Sequence, residues 1–364
     1  MNTKSLTMKE ETALCTSIIE TLLVFEKVYR RFHPLILSSL HEMLMPLLGP
    51  LEIKKGKMVS GCGSLSGGNF KTALKDSADM LIQAIYLFDP VDDIQKGIMN
   101  SLKAHRKICR VQEILYPFRY VSSMIESFFL EDRFTKRVSK SDPGDDYHGK
   151  PVGVFHKGLD NDPYARGGLS LYVPESYSGL VPLPLVIALH GGFSHGRDFL
   201  WTWMREAVSR GFILIAPTSQ GSTWSISRPE VDLESLTCLV EDIGAQYNID
   251  RKRMLLTGIS DGATFALICS LKKNTIFNYV APISGVLVPS DLAGLKPCRI
   301  FWVHGAHDWM FPLERAIRGC TDLRNAGVDV RLRIVKDLAH AYPREENAAI
   351  LNWFDPSLAF NTLV

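Results

Sequence analysis

Two pentapeptides in this chain share the pattern Gly-x-Ser-x-Gly, Gly192-Phe193-Ser194-His195-Gly196 and Gly258-Ile259-Ser260-Asp261-Gly262. A serine hydroxyl is a weak nucleophile at its own pKa and needs a base within hydrogen-bond reach. Imidazole suits that task, because its ordinary pKa of about 6.5 lets it take a proton and return it near neutral pH. A carboxylate on the far ring nitrogen would hold the imidazole in the productive tautomer. Both groups follow the second pentapeptide. His304-Gly305-Ala306-His307-Asp308 offers an acid, and Lys336-Asp337-Leu338-Ala339-His340 offers a histidine with a second acid three residues before it. Together these residue types point to attack on an acyl carbon.

The elements around them sort the two serines. Met254-Leu255-Leu256 precedes Ser260, and Ala263-Thr264-Phe265-Ala266-Leu267-Ile268 follows it, so this serine stands at a sharp turn from a buried strand into a helix. In such an elbow, side chains at the flanking glycines would collide across the turn. Strand-like runs recur at Val152–His156, Leu169–Val173, Leu185–Leu189, Phe212–Ala216, Tyr279–Ile283, Arg299–Val303 and Val330–Val335. The first two suit an antiparallel hairpin, with Asp160-Asn161-Asp162-Pro163 as its turn region. Strands then alternate with helices, the pattern of a mostly parallel, doubly covered sheet.

The first third is of another kind. Leu14, Ile18, Leu22, Phe25 and Tyr29 share one helical face, widened by Ile19 and Leu23. Leu74, Ala78, Leu81, Ile85 and Phe88 repeat at spacings of three and four, a third helix is expected over 94–115, and a fourth around 120–130. The glycine-rich stretch 61–68 has the spacing of a phosphate-binding loop, but Asn69-Phe70 stand where Lys and Ser/Thr are required. It reads as a connector. Residues 139–151, with Ser139-Lys140-Ser141-Asp142-Pro143-Gly144, have linker composition, which divides the chain into a helical domain 1–138, a linker and a catalytic domain 152–364.

From about Gly153 onward the chain resembles the α/β-hydrolase superfamily, in particular its carboxylesterase/phospholipase-like serine esterases. The residues that carry the resemblance are His190-Gly191-Gly192-Phe193, Gly258-Ile259-Ser260-Asp261-Gly262, His304-Gly305-Ala306-His307-Asp308 and His340, with Tyr247–Arg253 ahead of the elbow strand. The fold places nucleophile, acid and histidine in that chain order after successive strands. Ser260, Asp308 and His340 satisfy it. With Ser194 as nucleophile, the strand at 212–216 and the whole Ser260 elbow would be left over, and Asp337 precedes His340 on the same strand end. The resemblance implies an oxyanion hole from backbone N–H groups of Gly192, Phe193 and Asp261. Trp201, Trp224 and His195 are candidates for a substrate pocket, although core packing is as natural a role for a tryptophan. In one respect the chain departs from acyl-protein thioesterase relatives, which have glutamine after the serine where Asp261 stands here.

The implied activity is hydrolysis of small uncharged carboxylic esters through an acyl-enzyme, without metal or organic cofactor. Lysophospholipase, thioesterase, amidase or peptidase activity on the same residues, and a non-catalytic protein that binds a partner through its N-terminal helices, stand as alternatives. A formal charge of +2 gives no sign of nucleic acid as a partner. The N-terminus lacks the apolar stretch of a signal peptide, and no apolar run reaches the ~20 residues of a membrane span. Seven scattered cysteines without a C-x-x-C pair fit reduced thiols and a cytoplasmic location. The regular apolar stripes of the first third require a partner surface. The expectation is that they wall the substrate entrance, with a homodimer through these helices as the alternative.

Overall fold

The structure is a computed structural model, and it describes residues 3–58, 68–131, 150–158, 162, 164–289, 292 and 298–359. The expected linker (apart from residues 150 and 151), nearly all of the glycine-rich stretch 61–68, and the turn residues 160, 161 and 163 lie outside the described residues. The chain forms two compact units, Met1–Thr135 and Lys136–Val364.

The first unit is helical: α1 (Thr3–Arg30), α2 (Leu37–Lys57), α3 (Gly68–Tyr86), α4 (Ile94–Leu115) and the short α5 (Ser123–Phe128). Leu14, Ile18, Leu22 and Phe25 of α1 are buried, as are Leu74, Ala78, Leu81 and Ile85 of α3, following the i, i+3, i+4 spacing of their sequences. Leu23, by contrast, points to solvent. Helix α2 is not legible in the sequence because it contains Pro46 and Pro50. Both prolines lie on its exposed side, while Leu37, Leu40, Leu44 and Leu51 bury the opposite stripe. Carbonyls freed by the missing N–H groups therefore face water, and burial of the leucine stripe carries the helix. The helix expected over 120–130 is reduced to a 3-10 turn, Tyr116–Tyr120, followed by α5, which Ser122 caps through its hydroxyl.

The second unit is built on an eight-stranded sheet: β1 (Gly153–Lys157), β2 (Leu169–Val173), β3 (Leu183–Leu189), β4 (Ile213–Pro217), β5 (Ile249–Ile259), β6 (Tyr279–Ile283), β7 (Arg299–Gly305) and β8 (Asp329–Val335). Its order is β1-β2-β4-β3-β5-β6-β7-β8, with β1 and β2 antiparallel and β4 through β8 parallel. Among the described residues, six α-helices accompany it: α6 (Gly196–Phe199), α7 (Met204–Arg210), α8 (Glu230–Gln246), α9 (Asp261–Ser270), α10 (Leu313–Asn325) and α11 (Asn347–Phe354). One face of the sheet packs Ile187, Leu256 and Trp302 against Leu236 and Val240 of α8, Phe265 of α9 and Leu323 of α10. On the other face, Tyr279 and Phe301 meet Trp353 of α11 edge-on or tilted. This is the α/β-hydrolase fold. Its parallel strands bring the ends of β3, β5 and β7, and the turn after β8, to one edge of the sheet.

Candidate active site

Ser260 sits between β5 and α9 with φ 56° and ψ −119°, a conformation that a side-chain-bearing residue adopts only under constraint. The constraint is visible. Its N–H donates to the Ile283 carbonyl at 3.0 Å, and its own carbonyl accepts from the Thr264 N–H at 2.9 Å. A Cβ on Gly258 would lie 2.7 Å from the Gly262 backbone, and one on Gly262 would be driven into the His190 and Leu189 carbonyls. The two glycines are thus dictated by how closely the elbow approaches β3.

His340, in the turn after β8, places Nε2 3.0 Å from the Ser260 Oγ and Nδ1 2.9 Å from the Asp308 Oδ1. Asp308 follows β7 and has a fully buried carboxylate, whose Oδ1 also accepts the Met310 and Phe311 N–H groups at 3.0 and 2.7 Å. Burial pushes this carboxyl up, but the hydrogen bond and charge of His340, the Phe311 N–H and the field of His304 outweigh it and hold the pKa below its ordinary value. Asp308 and not Asp337 is the carboxylate at the His340 Nδ1. His304, at the end of β7, is buried and hydrogen-bonded to the Phe311 carbonyl at 2.7 Å, and burial lowers its pKa. It fastens the turn that carries Asp308.

On the β3 side, His190 donates from Nδ1 to the Gly191 carbonyl at 2.7 Å and accepts the Ser219 N–H at Nε2, 3.1 Å away. That pairing requires a neutral ring, and burial accordingly lowers the His190 pKa to about 3. Gly192 and Asp261 face each other closely enough that a Cβ on Gly192 would stand 2.8 Å from the Asp261 Oδ2. The Asp261 carboxylate is held by the Thr223 hydroxyl at 2.6 Å. Phe193 departs from its expected role as an oxyanion donor, because its N–H is engaged by the Ser222 carbonyl at 2.9 Å.

The three pocket candidates also differ from expectation. Trp224 is buried, stacks on Phe265 at 5.2 Å and donates its indole N–H to the His190 carbonyl, so it braces the loop after β3 from behind. Trp201 is buried as well. His195 accepts the Arg197 N–H at 3.0 Å as the cap of α6 and lies against the Thr218 hydroxyl. A large apolar side chain after a strand is read as a pocket wall or as core with equal ease, and here burial decides. The rings that do surround His340 are Phe311, edge-on at 5.2 Å, and Trp309 at 6.1 Å. Their signal in the sequence is adjacency to Asp308. Among the described residues, no group of side chains could hold a metal ion, and no helix is long and apolar enough to cross a membrane.

Among known proteins, the family model named Esterase matches residues 235–325, a stretch that includes Ser260 and Asp308. A bifunctional acetylxylan esterase/xylanase, XynS20E of Neocallimastix patriciarum, is 28% identical over 193 residues, covering 51% of this chain and 28% of that protein. A probable feruloyl esterase C of Aspergillus terreus is 24% identical over 156 residues, covering 40% of this chain and 57% of the other. The chain therefore spans well under two thirds of either relative. A crystal structure of a thermostable esterase superposes with a TM-score of 0.44 at 22% identity, covering 51% of this chain and 58% of that one.

Proposed function

We propose, for a chain that belongs to the α/β-hydrolase-type serine esterases, that it is a carboxylesterase working through an acyl-enzyme on Ser260, His340 and Asp308. The observation that carries this reading is the continuous relay from the Ser260 Oγ through His340 to Asp308, with both links at 2.9–3.0 Å. As Oγ attacks the ester carbon, its proton passes to the His340 Nε2, and the carbonyl oxygen becomes an oxyanion. The Gly192 and Asp261 N–H groups are the donors for that oxyanion, one such donor typically being worth about 2.7–4 kcal/mol. Asp308, ionised through the neutral range, stabilises the imidazolium. His340 then gives the proton to the leaving alcohol. Water attacks the acyl-enzyme with His340 again as base, releasing the acid and restoring Ser260.

A fluorophosphonate probe tests the assignment. It is expected to label Ser260 as read by peptide mapping, and an adduct on Ser194 instead would overturn it. A cytoplasmic site of action belongs to the same proposal, on the odd number and scatter of the cysteines. So does a homodimer through the helical unit, supported by the exposed Leu35, Ile53 and Val121 of that unit. Light scattering reads the dimer as twice the 40.8 kDa of the chain.

A further inference from the structure

Phe193 stands one residue beyond Gly192, and neither the relay nor the oxyanion donors use its side chain. It is 61% exposed, unusually open for an aromatic ring at the edge of a buried site. Its φ is 58°, in the left-handed region that a bulky side chain occupies only when its surroundings enforce it. They do so here. The Ser194 N–H closes a turn onto the Gly191 carbonyl at 3.2 Å, and the Phe193 N–H is tied to the Ser222 carbonyl at 2.9 Å. In a turn of this kind the third position favours glycine or asparagine. The chain instead holds a phenylalanine there with its ring in solvent, at a cost in both backbone strain and exposed apolar surface.

Resting on the esterase reading above, we infer that Phe193 is the wall of the acyl-binding side of the site, and that the preferred substrates are esters of apolar acids larger than acetic acid. Sheet order gives the direction. The strand β5 that carries Ser260 lies between β3 on one side and β6, β7 and β8 on the other. His340 and Asp308 come from the β7–β8 side, and Phe193 comes from the end of β3. The leaving alcohol must face the His340 Nε2 to receive its proton, and the oxyanion must face Gly192 and Asp261. The remaining substituent on the tetrahedral carbon, the acyl chain, points away from His340 and lies beside the oxyanion, so it leaves past the loop after β3, where Phe193 adjoins Gly192 and presents an exposed apolar ring. On the opposite side Trp309 and Phe311 pack against His340 and belong to the alcohol end.

The experiment compares kcat/KM of the full-length protein and its Phe193→Ala and Phe193→Gly variants on two series. In one, p-nitrophenyl acetate, butyrate and hexanoate vary the acyl chain at a fixed leaving group. In the other, ethyl and butyl butyrate vary the alcohol at a fixed acyl group. The butyrate-to-acetate ratio is expected to fall about tenfold in both variants, the usual scale for losing contact with a methylene or two, while the butyl-to-ethyl ratio holds. Phe193→Gly relieves the left-handed strain and is expected to melt above Phe193→Ala, so a folded variant is available for the comparison. An acyl ratio unchanged in both variants, or a fall confined to the alcohol series, would overturn the inference. Ser260→Ala, run alongside, keeps the two readings apart: activity that survives it defeats the esterase assignment, whereas activity lost with it and an unchanged acyl ratio defeats only the role of Phe193.

Discussion

The two Gly-x-Ser-x-Gly copies are identical as patterns and opposite as structures. At 258–262 both glycines lie against backbone, and the serine between them is forced to a positive φ with its hydroxyl on His340. At 192–196 the strained residue is the phenylalanine. Ser194 closes a turn with its N–H and offers its carbonyl to Arg166, while Gly196 opens α6 where a Cβ would run into the Ala216 carbonyl. Glycine serves close approach in both places. Only one of them aims a hydroxyl at a base, because only that copy ends its strand within reach of the histidine loop after β8, which the acid loop after β7 holds in place. The motif therefore specifies a tight strand-to-helix turn, and the position of its strand in the sheet decides whether that turn does chemistry.

The largest expected difference between the copies is in turnover. Ser260→Ala should lower kcat by about 10⁴-fold or more, the scale seen when a triad nucleophile is removed, and Ser194→Ala should stay near the parent. Steady-state kinetics on p-nitrophenyl butyrate read both, and a Ser194→Ala enzyme as dead as Ser260→Ala would erase the contrast. Next come the partners of Ser260. His340→Ala and Asp308→Asn are each expected to cost on the order of 10³–10⁴-fold in kcat, and the double variant little more than the worse single one, since the residues act as a unit. Multiplicative losses would argue that the relay does not operate as one device.

Stability separates the glycines on a smaller scale. Gly262→Ala presses a methyl group into the His190 and Leu189 carbonyls, whereas on Gly192 the methyl group meets the end of the Asp261 side chain, which can swing aside. Urea titration should show Gly262→Ala destabilised by about 1–3 kcal/mol and Gly192→Ala by less. A Gly262→Ala protein with an unchanged midpoint would show that the elbow yields.

A further expected effect is one of pH, and it probes the loop after β3. His190 is held neutral, its pKa driven down to about 3 by burial against the partial opposition of the Gly191 carbonyl. Between that value and the ordinary histidine pKa of about 6.5, the unfolded chain binds more protons here than the folded one. Stability therefore rises with pH through this window and is complete above it. Unfolding free energies measured from pH 7 down to pH 4 should decline, and His190→Gln should remove up to about one proton from the slope. Asp308 adds a contribution of the same sign further into the acid, lost as the pH falls through its lowered pKa. An unaltered slope in His190→Gln would place the acid sensitivity elsewhere.

Much of the second unit is legible in the chain because strand periodicity, glycine punctuation and the order of serine, acid and histidine are local or one-dimensional signals. The run Leu169–Val173 forms β2 with its expected bounds, and 94–115 forms α4. Helix α2 escapes such a reading because two prolines contradict helix propensity, and only the burial of its leucine stripe overrides that preference. Trp201 and Trp224 are natural candidates for a pocket because hydrophobicity alone does not distinguish a wall from a core. Phe193 is a natural candidate for an oxyanion donor because nothing in its neighbours announces the Ser222 carbonyl, which arrives from the loop after β4.

What the amino-acid sequence determined by itself is the set of reactive groups, their chain order, and the glycines without which the elbow cannot close. What only the tertiary structure decided is which groups meet: that Asp308 and not Asp337 reaches the His340 Nδ1, that the Phe193 N–H goes to the Ser222 carbonyl, and that the Phe193 ring is left in solvent. The first is a choice between two chemically equivalent carboxylates, and the others turn on a loop remote in the chain. Such choices are made by the register of neighbouring strands and the loops they carry, which bring together residues 32 and 80 positions apart in the chain.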